Sequence, residues 1–330
     1  MADEIWTLSE QNENGLKDIS FELLAWGRKL ADERQTALCA VVLANEINDS
    51  ELINLFEHGA DKVYVVQNKV FTHFLVEPQA RTLKYLVETF QPETILAGAT
   101  SSGRTVMPYL AMKLHTGLTA DCTGLEIESE SGNLLQIRPA IGGNIMATIK
   151  TPNHRPQLAT VRPKSIIKLE PRIGHVGEIV KPDISEDMFA SRIRFEKNTS
   201  ESRSNAALEE ADIVVSGGLG LQGPESFEMI SDLADLMGAA IGSSRPPVDH
   251  GWQPYVRQVG LSGRTISPTL YIAVGISGAV QHLAGIQTAK NIIAINTDPE
   301  APIFKVADFG IVGDAEKILP TLMRHLQEDL

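Results

Sequence analysis

Short apolar runs separated by amphipathic stretches long enough to be helices recur along this chain, and that alternation restricts the fold more than any other feature. Residues 4–8, 37–43, 62–66 and 94–97 read as strands, rich in aliphatic side chains and bounded by polar breaks. Between them, residues 21–34, 50–58 and 78–90 place apolar side chains at three- and four-residue spacing, the period of a helix packed on one face. A strand, a helix and another strand in succession form a crossover, so the strands run parallel and the helices cover the sheet. After Ala99, turn-forming residues dominate 100–104, 142–144 and 151–156, with strand-like stretches at 134–138 and 158–161 that extend the same domain. From 185 to 210 the sequence is polar and charged, and a linker is expected near 195–210. The alternation then resumes, with strands at 213–215, 239–242, 270–274 and 292–295 and helices at 225–237, 278–283 and 315–327. A chain of 330 residues has room for two domains. The expectation is an α/β protein with domains over 1–200 and 206–330, each a mostly parallel sheet flanked by helices.

Charge and cysteine content remove several classes of function. A formal charge of −13 repels phosphate backbones and anionic lipid, so neither nucleic acid nor a membrane surface is an expected partner. Cys39 and Cys122 lie far apart and cannot assemble a zinc site or an iron–sulfur cluster from thiolates, and no metal is expected. No apolar run approaches the ~18 residues of a membrane span. With an acidic N-terminus, a cytoplasmic location is expected.

The chemistry concentrates in the second half. The strand at 213–215 leads into Gly218, Gly220 and Gly223, spaced as G-x-G-x-x-G, with Pro224 suited to a first helical turn. Such a turn lets a phosphate approach helix N–H groups, although a plain connecting turn has the same glycines. A nicotinamide site ends its second strand with an acid for the ribose, whereas here Ser243-Ser244-Arg245 follows. Arg245 suits a negative group or a ring that becomes anionic, with a surface ion pair to Asp249 as the plain alternative. A second strand–turn–helix junction runs from Gly275 to His282, with Ser277 as an expected N-cap. The same residues form a degenerate nucleophile elbow, followed by Asp308 and His325 in hydrolase order, but the closing glycine is missing. His282 reads as a core histidine or as a cofactor neighbour, and Asn296 and Asp314 as caps or ribose partners.

Taken together, Ser216-Gly217-Gly218, Ser244-Arg245, Val248-Asp249, Gln258-Val259-Gly260, Gly275 through His282 and Asp298 through Phe304 resemble the electron-transfer flavoprotein alpha subunit family. The N-terminal half joins the resemblance through Thr116 to Thr123 and Arg138-Pro139-Ala140-Ile141-Gly142-Gly143-Asn144. The resemblance implies a heterodimer with a beta subunit contacted by the N-terminal domain, and a Rossmann-like C-terminal domain that holds FAD. It also implies transfer of electrons between NADH or dehydrogenases, such as acyl-CoA dehydrogenase, and a redox partner. Similarity to members from anaerobic bacteria adds flavin-based electron bifurcation. By the same resemblance, Arg245 lies near the flavin ring, Ser262 meets its N5 edge, and His282 faces its C2 carbonyl. Gln258, Val259, Gly260 and Leu261 carry Ser262. Ser244 with Ser277, Gly278, Ala279, Val280 and Gln281 holds the pyrophosphate and ribityl chain, while Asn296, Asp314 and Ala315 lie nearer the adenosine. Three positions depart from the family pattern. Leu219 stands where an arginine is usual, Leu261 where a glutamine is, and Ser262 where a threonine is. The competing expectation is a flavin-dependent oxidoreductase acting directly on a small substrate.

Overall fold

The computed structural model describes residues 3–12, 14–140, 145–197 and 208–329. These form two compact units, one from the residues up to 197 and the other from 208 onward. Part of the expected linker, residues 198–207, lies outside the described residues, as do the expected turn at 142–144 and residues 141–144 of the N-terminal motif.

In the first unit the strands are β1 (Ile5–Leu8), β2 (Gln11–Asn12), β3 (Gly15–Leu16), β4 (Leu38–Ala44), β5 (Lys62–Gln67), β6 (Thr94–Gly98), β7 (Leu118–Cys122), β8 (Gly124–Ile127), β9 (Leu134–Pro139), β10 (Met146–Ile149), β11 (Gln157–Val161) and β12 (Glu178–Val180). The helices are α1 (Asp18–Arg34), α2 (Asp49–Glu57), α3 (Val76–Phe90) and α4 (Gly103–Leu114). Seven strands pair in parallel in the order β12-β5-β4-β1-β6-β11-β7. Along β4, Leu38, Ala40 and Val42 join the core under α1 and α2, and Cys39, Val41 and Leu43 join the core under α3 and α4. Burial on both faces explains why this strand reads as an unbroken apolar run. Local chemistry sets the helix ends: Asn48 accepts from the backbone N–H of Glu51 at 2.9 Å, and the Glu51 carboxylate reaches back to the Asn48 N–H to close a capping box. The turn expected over 100–104 is present at 100–102 and leads at Gly103 into helix α4, which was not expected from the sequence. The antiparallel sheet β10-β9-β8 is also a departure from purely parallel pairing.

The second unit holds β13 (Ile213–Gly217), β14 (Ala240–Ser243), β15 (Leu270–Val274), β16 (Asn291–Asn296) and β17 (Phe309–Val312), with α5 (Phe227–Met237), α6 (Arg245–Asp249), α7 (Val280–Ile286) and α8 (Ala315–Asp329). All five strands are parallel in the order β14-β13-β15-β16-β17. The chain therefore winds outward in one direction from β13 to β14 and then in the other from β15. A crevice opens between the carboxyl ends of β13 and β15, where doubly wound sheets bind ligands. Val214, Tyr271 and Ala273 pack with Ile286 of α7, while Val215, Ile272 and Val274 pack with α5 and α8. Edge strand β17 was not expected from the sequence.

Candidate functional site

Two glycine turns close the crevice from below. The turn after β13 and the turn after β15 lie against each other: the Gly218 N–H donates to the Val274 carbonyl at 2.8 Å, and the Gly220 N–H donates to the Gly275 carbonyl at 3.0 Å. A Cβ on Gly218 would fall 2.2 Å from the Gly275 oxygen, and one on Gly220 would fall 2.9 Å from the Gly275 Cα. Both must be glycine because backbone meets backbone there. Gly223 has no such constraint, since a Cβ on it would meet only the Glu225 side chain at 3.4 Å. Gly278 has a left-handed φ of 84° and abuts the Ile303 backbone.

Above these turns lies a cleft of about 570 Å³. Leu219 and Gly220 line one end, and Ser244, Arg245, Val259, Gly260, Leu261, Ser262, Ser277, Ala279, Gln281, His282 and Asn296 complete it. A second depression of about 300 Å³ shares Gly220, Gly275 and Asn296 with the first and is lined by Asp314 and Ala315. The structure thus brings together thirteen of the sixteen cofactor residues expected from sequence. The other three stand beside the cleft. Gln258 is buried and donates through Nε2 to the Ser262 Oγ at 3.1 Å. Gly278 is pressed on Ile303, and Val280 is exposed on α7.

Hydrogen bonding assigns these side chains more local work than the sequence suggested. Arg245, at the first position of α6, is mostly exposed and pairs through Nε with Asp249 at 3.1 Å, the plain alternative raised for it. Ser277 is not an N-cap: α7 is capped at Ala279 without a side-chain bond, and the Ser277 carbonyl accepts from Ile303 instead. The N–H groups of Ser277, Gly278, Ala279 and Val280 make no backbone hydrogen bond among the described residues, which leaves a row of donors along this turn. Asn296 donates to the Ile276 carbonyl at 2.9 Å, and Asp314 accepts from the Glu316 N–H at 3.1 Å at the start of α8. His282 is buried, with Nδ1 3.1 Å from the Val259 carbonyl and Nε2 2.9 Å from the Tyr271 hydroxyl. Burial pushes this imidazole down to about 4, against which the Val259 carbonyl acts. Both ring nitrogens are therefore engaged within the protein. Tyr271 was missed at the sequence level, although a phenol inside the aliphatic run of β15 requires a buried partner.

Among the described residues no cluster of histidine, cysteine or carboxylate could hold a metal ion, and no helix is long and apolar enough to cross a membrane.

Comparison with known proteins matches residues 5–187 to the electron transfer flavoprotein domain and residues 207–287 to the electron transfer flavoprotein FAD-binding domain. The electron transfer flavoprotein subunit alpha of Thermoanaerobacterium thermosaccharolyticum is 45% identical over 328 residues, covering 98% of each chain. That of Clostridium acetobutylicum is 42% identical over 325 residues, covering 98% of this chain and 96% of the relative. Protein FixB of Azorhizobium caulinodans is 42% identical over 323 residues, covering 96% of this chain and 87% of the relative.

Proposed function

The chain belongs to the electron transfer flavoprotein alpha subunit family, and on that premise we propose that it holds FAD in the C-terminal cleft, pairs with a beta subunit and passes electrons between a dehydrogenase and a second redox partner. The observation that carries this reading is the convergence of five separate segments on one crevice at the switch point of a parallel sheet. The glycine turns leave a flat floor, the unbonded N–H groups from Ser277 to Val280 suit a pyrophosphate, and the joined depression at Asp314 extends the site for a second nucleotide half. These features fit FAD, which when bound supplies reversible uptake of one or two electrons.

Around it, each residue has a positional task. Leu261, mostly exposed at the rim, and Leu219 offer apolar surface for a flat ring. Ser262 presents a hydroxyl held by Gln258, and Arg245 supplies a cation paired with Asp249. Of the titratable side chains lining the cleft, His282 has both nitrogens occupied, Asp249 is paired with Arg245, and the exposed Asp298 accepts from the Glu300 N–H. That favours an electron carrier over an oxidoreductase that abstracts a proton from a small substrate. We assign the beta-subunit contact to the first unit, a reading supported by the apolar surface that Ile145 and, on β10, Met146 and Ile149 expose.

Co-purification of the full chain with its beta subunit tests the proposal. The complex should show the visible absorption of bound flavin and be bleached by its dehydrogenase. A colourless complex that takes up no added FAD overturns it. Bifurcation belongs to the same proposal and has its own arm: NADH should reduce a low-potential acceptor only while a high-potential acceptor is present, and equal reduction of both without that coupling restricts the protein to simple carriage.

A further inference from the structure

The first unit has a crevice of its own that the flavin site does not use. Strands β5, β4, β1 and β6 stand side by side in that order, although the chain makes them in the order β1, β4, β5, β6. The winding therefore reverses between β1 and β6. A doubly wound sheet binds its ligand at such a reversal, beyond the carboxyl ends of the strands. A cleft of about 440 Å³ lies there, lined by Leu8 from the end of β1, Leu43 from the end of β4 and Val106 from α4.

Nucleotide crevices seat a phosphate at the amino end of a helix, and α4 begins at this one. The helix starts hard against β6, since a Cβ on Gly103 would overlap the Gly98 carbonyl oxygen. That helix end already holds an anion of the chain's own. The Thr100 hydroxyl accepts from the Gly103 N–H at 3.1 Å and donates to the Glu10 carboxylate at 2.6 Å. The backbone of Glu10 is pinned to the start of α1: its N–H donates to the Ser20 Oγ at 2.8 Å, and its carbonyl accepts from that hydroxyl at 2.9 Å and from the Lys17 N–H at 2.8 Å. Glu10 and Glu46 both line the crevice against a single ammonium, Lys17, so a phosphate would enter against net negative charge.

What the crevice keeps is the remainder of a nucleotide site. Glu46 is exposed two residues beyond β4, the second strand of the sheet in chain order, where an acid accepts the hydroxyls of a ribose. The Ser9 Oγ is buried in the lining with no hydrogen-bond partner, a polar atom that a ligand would satisfy. Phe74, 40% exposed, offers a ring face, and the amides of Asn45 and Gln79 offer donors and acceptors to the edge of a base. We propose that the crevice of the first unit is a second ligand site, which takes a nucleoside and rejects the corresponding nucleotide, with Glu46 on the ribose hydroxyls and Glu10 in the place of the phosphate. This site is independent of the FAD reading of the other unit.

The test uses the full chain with its beta subunit in excess FAD, with the methyl groups of the alpha chain alone isotopically labelled, so that binding elsewhere in the complex is not read as binding here. Adenosine should shift the methyl resonances of Leu8, Leu43 and Val106 with a dissociation constant at or below about 1 mM, and adenosine monophosphate should leave them in place. Glu46→Gln should weaken adenosine about tenfold, the share of a charge-assisted hydrogen bond. Glu10→Gln keeps an acceptor for the Thr100 hydroxyl and removes the charge, so it should take adenosine monophosphate at least about tenfold more tightly than the wild type does and leave adenosine unchanged. Absence of an adenosine shift at these methyls overturns the proposal, as does a wild-type chain that takes both ligands alike or a folded Glu10→Gln chain that still rejects the nucleotide. If Glu10→Gln does not fold, the wild-type comparison of the two ligands decides by itself.

Discussion

Alanine at position 218 isolates the packing of the two glycine turns from every other effect. Gly218 has φ −115° and ψ −176°, extended backbone that any residue adopts, so Gly218→Ala introduces no conformational strain of its own. The new methyl would instead lie 2.2 Å from the Gly275 oxygen, 2.7 Å from the Gly275 carbonyl carbon and 2.8 Å from the Ile276 Cα, all backbone atoms that no rotamer change can move. Restoring ordinary separation requires the turns to part by about 1 Å. Overpacking of that kind costs about 1–3 kcal/mol, and losing the bond from Gly220 to Gly275 adds about 1 kcal/mol, so the second unit should lose about 2–4 kcal/mol. The same displacement moves the row of N–H donors at Ser277–Val280, and FAD affinity should fall at least about tenfold. Urea unfolding followed by circular dichroism measures the first effect, and titration of FAD into the stripped complex measures the second. Gly238→Ala is the control: its φ of 61° is left-handed with nothing within 4 Å of the added methyl, so it should cost about 1–2 kcal/mol while leaving FAD affinity intact. A Gly218→Ala complex with wild-type unfolding and FAD affinity within twofold would refute the reasoning.

Three further outcomes are expected. Leu219→Arg restores the cation that the family pattern places in the glycine turn; Leu219 is about half exposed at the cleft, so FAD should bind about tenfold more tightly at low salt and lose most of that gain at high salt. Arg245→Ala should lower the flavin midpoint potential by about 20–50 mV, a fraction of the ~59 mV that accompanies a tenfold change, because Arg245 is largely exposed and already paired. An unchanged potential removes Arg245 from the ring's surroundings. Glu22, buried in α1 and accepting from the Lys164 N–H, has its carboxyl raised to about 7 by burial, against the pull of that bond. Since the folded value lies above the unfolded one, its contribution is complete below pH about 4.5 and is lost as pH rises through about 7, up to about 3 kcal/mol in all. Glu22→Gln should flatten the decline of the melting temperature between pH 5 and pH 8, and parallel pH profiles for variant and wild type would show that Glu22 does not titrate in that window.

The strands were legible because parallel strands buried on both faces leave a run that polar residues cannot interrupt, as in Leu38–Ala44 and Leu270–Val274. Where one face is open the signal fades. Strand β17 exposes Phe309 and Val312, and only four residues, one of them Gly310, carry it. Helix α4 was obscured by the Gly, Ser and Thr that precede it and by Pro108 within it, all of which favour a turn when neighbours are ignored; the burial of Val106, Met107 and Leu110 against the sheet decides for the helix.

The site shows the same division more sharply. The glycine pattern lies at the crevice, but a glycine that admits a phosphate and a glycine that admits another turn are identical in sequence. Gly218 and Gly220 serve the neighbouring turn, and the free N–H donors come from Ser277 to Val280 on the second junction. Which turn presents free donors and which supports it depends on the strand order, since β13 ends at Gly217 and β15 begins at Leu270, 53 positions later, yet the two are adjacent in the sheet. His282 follows the same logic. A histidine at the mouth of a cofactor cleft suggests a hand extended to the ligand, but the phenol of Tyr271 and the carbonyl of Val259 reach it from two elements the local sequence does not name, and they turn it inward.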